Sequence, residues 1–461
     1  MTSNNFAEVR GKAEMKKKII ATSAALVMLG ALALTGCSDS GGDDSSKTLT
    51  FMFRGGAAEK TAYQSAINKF TADTGVDVKL IVTDPAQYAT KLQTAVVGNK
   101  VPDVFYIEQS ALQSYVNSGV LMDITEKVAA SGVDLENIWP YGVDSYRFDG
   151  TIQGTPDGAL YGLPKDVGPF SFGYNKAMFE AAGVPFPDKD KPYTWDEFVQ
   201  VSKQLTADTD SDGTIDQWGS GLNVYWNLQS FVWSNGGDWT NADHTKVTVD
   251  SPEFAEALQW LADLTNVENV TPSSSDSATL DTYQRWMAGD IGFFPVGPWD
   301  ISMYNTLDFD YDLIPWPAGS TGESATWVGS LGIGVSKTTE HPDDAVKLAT
   351  YLSADSAAQQ TLVDAGVQIP NLMDVADTWA AATDAKPANR QEFLDIVKDY
   401  GRAMPSAYTY GTEWYDELYV NIQPVLDGTQ TAADYLEQTQ PKMQAMLDES
   451  NARAEQAAAG N

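Results

Sequence analysis

Residues 48–121 read TLTFMFRGGAAEKTAYQSAINKFTADTGVDVKLIVTDPAQYATKLQTAVVGNKVPDVFYIEQSALQSYVNSGVL, and the succession of apolar periods in this stretch decides the fold class. Thr48 to Phe53 alternates like a strand. Tyr63, Ala66, Ile67 and Phe70 then recur at helical spacing, and Gly75 is placed to stop that helix. Val76, Val78, Leu80 and Val82 alternate again. A helix from Pro85 to Val97 follows, then a short strand at Val104 to Ile107, then a helix from Ser110 to Ser118 closed by Gly119. Strand, helix, strand, helix at these lengths predicts a parallel sheet with crossover helices, an α/β fold.

Working outward, the second half changes character. Thr194 with Glu197 forms a capping box for a helix whose apolar side carries Trp195, Phe198, Val199 and Leu205. Ser251 and Pro252 are an N-cap and first-turn proline for a helix running to Asn266. From His341 the chain reads almost wholly helical, with Val346, Leu348, Ala349 and Leu352 buried. The roughly 415 residues from Lys47 onward exceed what one ordinary core holds, so two domains are expected.

The N-terminal end is of another kind. Lys16, Lys17 and Lys18 precede an apolar run from Ile19 to Leu34 and then Thr35, Gly36 and Cys37. Charge, apolar run and small residues in that order make a secretory signal over residues 1–36, with Met15 as the expected start. The run is shorter than the roughly 20 apolar residues that cross a bilayer comfortably. Cys37 is the only cysteine, so it has no intramolecular disulfide partner. Leu34-Thr35-Gly36-Cys37 resembles the lipobox of bacterial lipoproteins, in which the cysteine carries diacylglycerol and becomes the mature N-terminus. The resemblance implies a lipid anchor at the extracellular face of the cell membrane, with residues 37–46 (CSDSGGDDSS) as a flexible tether.

Composition excludes one class of partner. The chain has 29 Lys and Arg against 63 Asp and Glu, net −34, and loss of residues 1–36 leaves 24 against 61, net −37. Such a surface repels phosphate backbones, so no nucleic-acid partner is expected. Phosphate-cradling, dinucleotide and His-Glu-x-x-His motifs are absent, and the two histidines, His244 and His341, sit where solvated or structural roles are expected. A nucleophile with a histidine base is therefore not expected; a paired-acid glycosidase stays open as the rival reading, with no carboxylate pair singled out. A peptide-binding or scaffold lipoprotein is the third.

Asp208, Asp210, Asp212, Gly213, Thr214 and Asp216 follow the spacing of a calcium loop, with oxygen ligands on alternate residues around a sharp glycine turn. The twelfth position, a bidentate glutamate in such loops, is Gly219 here. The segment is either a structural calcium site or a plain Asx-rich turn. No cofactor is required by any other feature.

The tryptophans are the stronger signal. Trp226, Trp233 and Trp239 fall in one polar stretch (NVYWNLQSFVWSNGGDW), Trp299 follows Gly297 and Pro298, and Trp327 and Trp414 sit among Gly, Ser, Thr and Tyr. An indole face can cover the C–H face of a pyranose while nearby polar groups bind its hydroxyls. Trp195 and Trp260, on amphipathic helices, are expected in the core.

Four patterns together resemble the extracellular solute-binding proteins of carbohydrate ABC importers, the maltose-binding type. They are Val101-Pro102-Asp103-Val104 with Ser118-Gly119-Val120-Leu121; Tyr161-Gly162-Leu163-Pro164 with Tyr174-Asn175-Lys176 and Thr194-Trp195-Asp196-Glu197; Gly297-Pro298-Trp299; and Ser336 through Tyr351. The resemblance implies a two-lobe periplasmic-binding-protein-like fold with a hinge and a central ligand cleft, one lobe from residues 47–170 plus 311–341 and the other from 171–310 plus 342–455. It implies that Trp299, Trp414 and Trp226 stack on sugar rings, to which the tryptophan pattern adds Trp233 and Trp327 as candidates, and that Arg54, Glu108, Gln109 and Asp166 make polar contacts. The implied protein is a monomer that captures a carbohydrate, most simply an oligosaccharide, and delivers it to the transmembrane subunits of an ABC permease without doing chemistry.

Overall fold

A computed structural model describes residues 48–382 and 384–459 of the chain. The first sheet has the order Asp77–Thr83, Thr48–Arg54, Val104–Glu108, Leu331–Val335, Gly162–Pro164. Its first three strands run parallel, connected by the helices Ala57–Thr74 and Tyr88–Val97 that the sequence periods predict. Leu331–Val335 runs antiparallel to both of its neighbours. Gly75 takes a left-handed φ of +72° and returns its N–H to the carbonyl of Thr71, which ends the first helix as expected of a glycine cap.

The second sheet has the order Tyr311–Ile314, Ser171–Asn175, Ile291–Val296, Trp218–Ser220. Its core is aromatic: Phe172 and Phe293 stack across adjacent strands at 5.4 Å, and Trp316 lies on Phe172 at 4.8 Å. The Thr194–Glu197 capping box forms as predicted and opens Trp195–Leu205, while Ser251 caps Pro252–Asn266. Trp195 and Trp260 stack on one another at 4.7 Å between these helices, which settles both as packing residues.

Two segments lie on the other side from where the resemblance put them. Tyr311–Ile314 pairs with Ser171–Asn175 and so belongs to the second sheet. The helix Pro342–Ala354 buries Ala345, Val346, Leu348, Ala349 and Leu352 in the core of the first sheet. The physical reason is chain length. Leu331–Val335 delivers the chain to the first sheet, and only Ser336 to His341 intervene before the helix starts, too few to leave that sheet.

Between the two main sheets lies a small third one, ordered Gly401–Arg402, Thr326–Gly329, Gly168–Pro169. Gly168–Pro169 sits in sequence between Gly162–Pro164 of the first sheet and Ser171–Asn175 of the second. Thr326–Gly329 sits likewise between Tyr311–Ile314 and Leu331–Val335. These are two of three chain crossings, bonded to each other through Val328 opposite Pro169 and Gly329 opposite Gly168; the third lies between Pro342–Ala354 on the first core and Glu413–Val420 on the second, and includes Gly401–Arg402. Two lobes hinged on a short ladder of two pairs follow from this topology, and the hinge is where the aromatics collect.

Candidate functional site: an aromatic ladder at the hinge

Trp299, Phe170 and Trp327 form a triangular cluster of near-parallel rings at the crossing strands. Phe170 lies 4.6 Å from Trp327 and 5.9 Å from Trp299 by ring centroid, with interplanar angles of 25° and 10°, and Trp299 lies 5.8 Å from Trp327 at 16°. The crossing strands are glycine-rich at the points the indoles approach. A Cβ on Gly168 would come within 3.3 Å of the Trp299 ring, and one on Gly329 within 3.2 Å of the Trp327 ring. Bare backbone there lets the indoles lie flat against the ladder.

Trp299 sits in the turn Pro298–Asp300 that follows Ile291–Val296. Burial pushes the Asp300 carboxyl up to about 6, opposed in part by the adjacent Trp299 indole. The Trp327 indole N–H donates to the Trp226 carbonyl at 3.4 Å. Trp226 lies in the first turn of Val224–Ser234, where the Asn223 side chain accepts from its backbone N–H, and its own ring is 58% exposed. A half-exposed indole held by its backbone on a rigid stack is free to accept a flat apolar surface.

Polar groups come from the carboxyl ends of the first sheet's parallel strands, the usual location of ligands in such sheets. Arg54 ends one strand and Glu108 the next, and they pair at 2.7 Å with side chains 33% and 44% exposed. A pair so exposed contributes little to stability, about 0–1 kcal/mol, and its free lone pairs and N–H groups remain open to hydroxyls.

Four of the expected contact residues are otherwise engaged. Trp414 is fully buried in the second lobe's core, its indole N–H donating to Thr409 Oγ1 at 3.0 Å. Trp233 is 3% exposed, packs edge-on to Trp239, and has the Arg402 guanidinium 5.6 Å over its ring and Asp238 as acceptor for its N–H. Their polar sequence neighbours mislead because the burial is tertiary: the helix Ala432–Ala459 packs over Glu413–Val420, and Pro252–Asn266 packs on Val224–Ser234. Gln109 turns inward, donating to Tyr141 Oη and Ser145 Oγ, and Tyr141 in turn donates to the Val328 carbonyl of the crossing strand. Asp166 is buried, its carboxylate taken by the Leu331 N–H at 3.1 Å and by Lys165 Nζ at 3.0 Å. Gln109 and Asp166 therefore brace the hinge.

Phe170, the third ring of the cluster, is not a tryptophan and is not among the residues the sequence singles out. A signal existed: Gly168-Pro169-Phe170 repeats the Gly-Pro-aromatic pattern of Gly297-Pro298-Trp299. In both, the proline fixes φ and the glycine clears space for the ring.

In the acidic loop, carboxylate oxygens of Asp208, Asp210 and Asp216 lie within 4.8 Å of one another, while Asp212 and Thr214 stand outside that group. The Asp208 carboxylate accepts the backbone N–H groups of Ser211, Asp212 and Gly213. A glutamate at position 219 cannot be accommodated: even a Cβ there would meet the Ser202 carbonyl oxygen at 2.0 Å, because Trp218–Ser220 lies against the preceding helix. Cys37 and the rest of the N-terminal segment lie outside the described residues.

Two lobes on strand crossings, with an aromatic stack at the crossing and a charged pair at adjacent strand ends, define a ligand-clamping protein of the two-lobe α/β kind. Residues 56–359 match the family described as bacterial extracellular solute-binding protein, and the chain belongs to that family. It is 23% identical to the maltodextrin-binding protein MdxE of Bacillus subtilis over 85% of this chain and 88% of that one. It is 25% identical to the diacetylchitobiose binding protein DasA of Streptomyces coelicolor over 81% and 87%. Among solved structures, an ABC substrate-binding protein from Listeria monocytogenes in complex with cycloalternan superposes with a TM-score of 0.75 at 24% identity, covering 87% of this chain and 99% of that one. The maltose/maltodextrin-binding domain MalE from Bdellovibrio bacteriovorus, bound to maltotriose, gives 0.69 at 19% identity, with 87% and 100% covered. Among the described residues no helix is long and apolar enough to cross a membrane.

Proposed function

We propose that this chain captures a carbohydrate, an oligosaccharide in preference to a monosaccharide, between its lobes and hands it to the transmembrane subunits of an ABC permease. The observation that carries the reading is the Trp299–Phe170–Trp327 stack on the crossing strands, next to the exposed Trp226. The partly exposed Trp299 and Trp327, backed by buried Phe170, and the exposed Trp226 suit the apolar faces of sugar rings, and Arg54, Glu108 and Asp300 supply donors and acceptors for hydroxyls. The names of the relatives, which bind maltodextrin and diacetylchitobiose, support the same class of ligand. The chain does no chemistry on the sugar. Cys37 carries the lipid that holds a monomer at the extracellular face of the membrane, and calcium, where bound at Asp208, Asp210 and Asp216, serves the second lobe's fold.

Incubation with a panel of oligosaccharides tests the reading. A binder raises its melting temperature with its best sugar and leaves that sugar intact. Cleavage of the sugar would establish a hydrolase, and no shift with any saccharide would remove carbohydrate as the ligand.

A further inference from the structure

Besides Trp226, the first turn of Val224–Ser234 carries a second exposed aromatic, Tyr225, 49% exposed. Successive helical residues project about 100° apart, so the two rings leave the helix in different directions. Trp226 stays with the hinge stack through the Trp327 bond. Tyr225 instead lies on Tyr419, with ring centroids 5.7 Å apart at 33°.

This second platform is built rather than incidental. Tyr419 comes from Glu413–Val420, more than 190 positions away in sequence, and its hydroxyl is 3.1 Å from that of Tyr415. The Tyr415 hydroxyl is itself held by the Gln229 amide, one turn along the helix that bears Tyr225. Tyr225 is thus buttressed from below while nearly half its surface faces solvent. On the helix that bears Tyr419, Asp416 is exposed one turn earlier and accepts from Thr412 Oγ1 at 3.1 Å, and Val420, the next residue, is 64% exposed. An aromatic face, an apolar neighbour and a carboxylate with one oxygen beyond its Thr412 bond suit a sugar ring, and core packing does not explain why Tyr225 and Val420 are left at the surface.

We infer that Tyr225, buttressed by Tyr419 and accompanied by Asp416, is an outer subsite on the second lobe, and that the preferred ligand is a linear oligosaccharide long enough to run from the hinge stack past Trp226 onto Tyr225. The inference rests on the reading of the hinge stack as a saccharide site. It adds to that reading a length preference and the residue that sets it.

The test is calorimetric titration of the full chain and of Tyr225→Ala with malto-, cello- and chito-oligosaccharides from disaccharide to hexasaccharide. Loss of one exposed stacking face should weaken the longer members of the bound series about fivefold or more, while the disaccharide changes less than about twofold. Tyr225→Trp, which keeps a platform, should retain the length preference. Equal weakening at every length would mean that Tyr225 only shapes the inner cleft, and no weakening at any length would mean that nothing reaches it; either overturns the subsite. A wild-type protein that binds no member of any series would overturn the carbohydrate reading as well, a result distinct from a wild type that binds and a variant that matches it.

Discussion

Trp299→Ala and Trp414→Ala should fail in opposite ways, although sequence alone makes them equivalent. Trp414 is fully enclosed, packs against Tyr415 and satisfies Thr409 with its N–H. Removing a buried indole costs about 3–5 kcal/mol of stability, and the Thr409 hydroxyl loses a partner besides. Trp299 is only partly buried and rests on Phe170 and Trp327. Each aromatic pair is worth about 0.5–1.5 kcal/mol, so truncation should cost roughly 1–3 kcal/mol of stability. Its face toward the cleft, however, should cost about 2 kcal/mol of binding, near thirty-fold in affinity. Urea unfolding followed at several wavelengths gives the first quantity, and calorimetric titration with the best sugar gives the second. Affinities must be referred to the folded fraction. Trp414→Ala should then bind within a few-fold of wild type, and Trp299→Ala should bind far more weakly at nearly full folding. A Trp299→Ala protein that binds normally, or a folded Trp414→Ala protein that does not, would refute the assignment of the hinge stack as the ligand platform.

Three further outcomes are expected. Glu392 is buried with Tyr400 as hydrogen-bond donor, and burial pushes its carboxyl up to about 8; the unfolded chain ionises first, so this group costs stability progressively as pH rises from about 4.5 to 8, by up to ~1.4 kcal/mol per unit, and the cost levels off above that. Glu392→Gln should therefore gain on wild type across that window, and parallel pH–stability curves would count against the buried acid. Calcium chelation should lower the melting temperature of the second lobe while sugar affinity at low temperature stays intact; an unchanged melt would leave Asp208, Asp210 and Asp216 as a plain turn. Cys37→Ala should release the protein into the medium or leave it uncleaved, and a correctly cleaved variant that stays with the membrane would sink the anchor.

Local chemistry was legible in the sequence and long-range pairing was not. Gly75, the Thr194–Glu197 box and the Ser251–Pro252 start each act within one helical turn, and each stands where the residues put it. The lobe membership of Tyr311–Ile314 depends on pairing with Ser171–Asn175, some 140 residues earlier, and no local period encodes that choice of partner. The tryptophans divide for the same reason. Trp226 and Trp233 lie seven residues apart on one helix with similar neighbours, yet Trp233 is covered by packing from distant segments and Trp226 is left at the surface. Glu108 ends its strand and pairs with Arg54, while Gln109 opens the following 3-10 turn, which carries it into the brace with Tyr141.

The positions of the ladder residues also separate affinity from closure. Trp327 rides on a crossing strand itself and is backed by buried Phe170, so a sugar stacked on it keeps that contact whichever way the lobes turn. Such contacts strengthen binding without favouring the closed state, because a ligand shifts an equilibrium only by its difference in affinity between the two states. Closure must instead be driven by groups that belong to one lobe each: Arg54 and Glu108 on the first, Trp226 and Trp299 on the second. The exposed Arg54–Glu108 pair keeps N–H groups and lone pairs for sugar hydroxyls, and a hydrogen bond to a charged group is worth about 1.5–3 kcal/mol. It follows that substitutions at Trp327 should change how tightly sugar is held, whereas substitutions at Arg54 should change how far the bound protein closes. A scattering measurement of compaction on ligand addition distinguishes the two, with Arg54→Ala leaving the bound form more extended than Trp327→Ala at equal saturation.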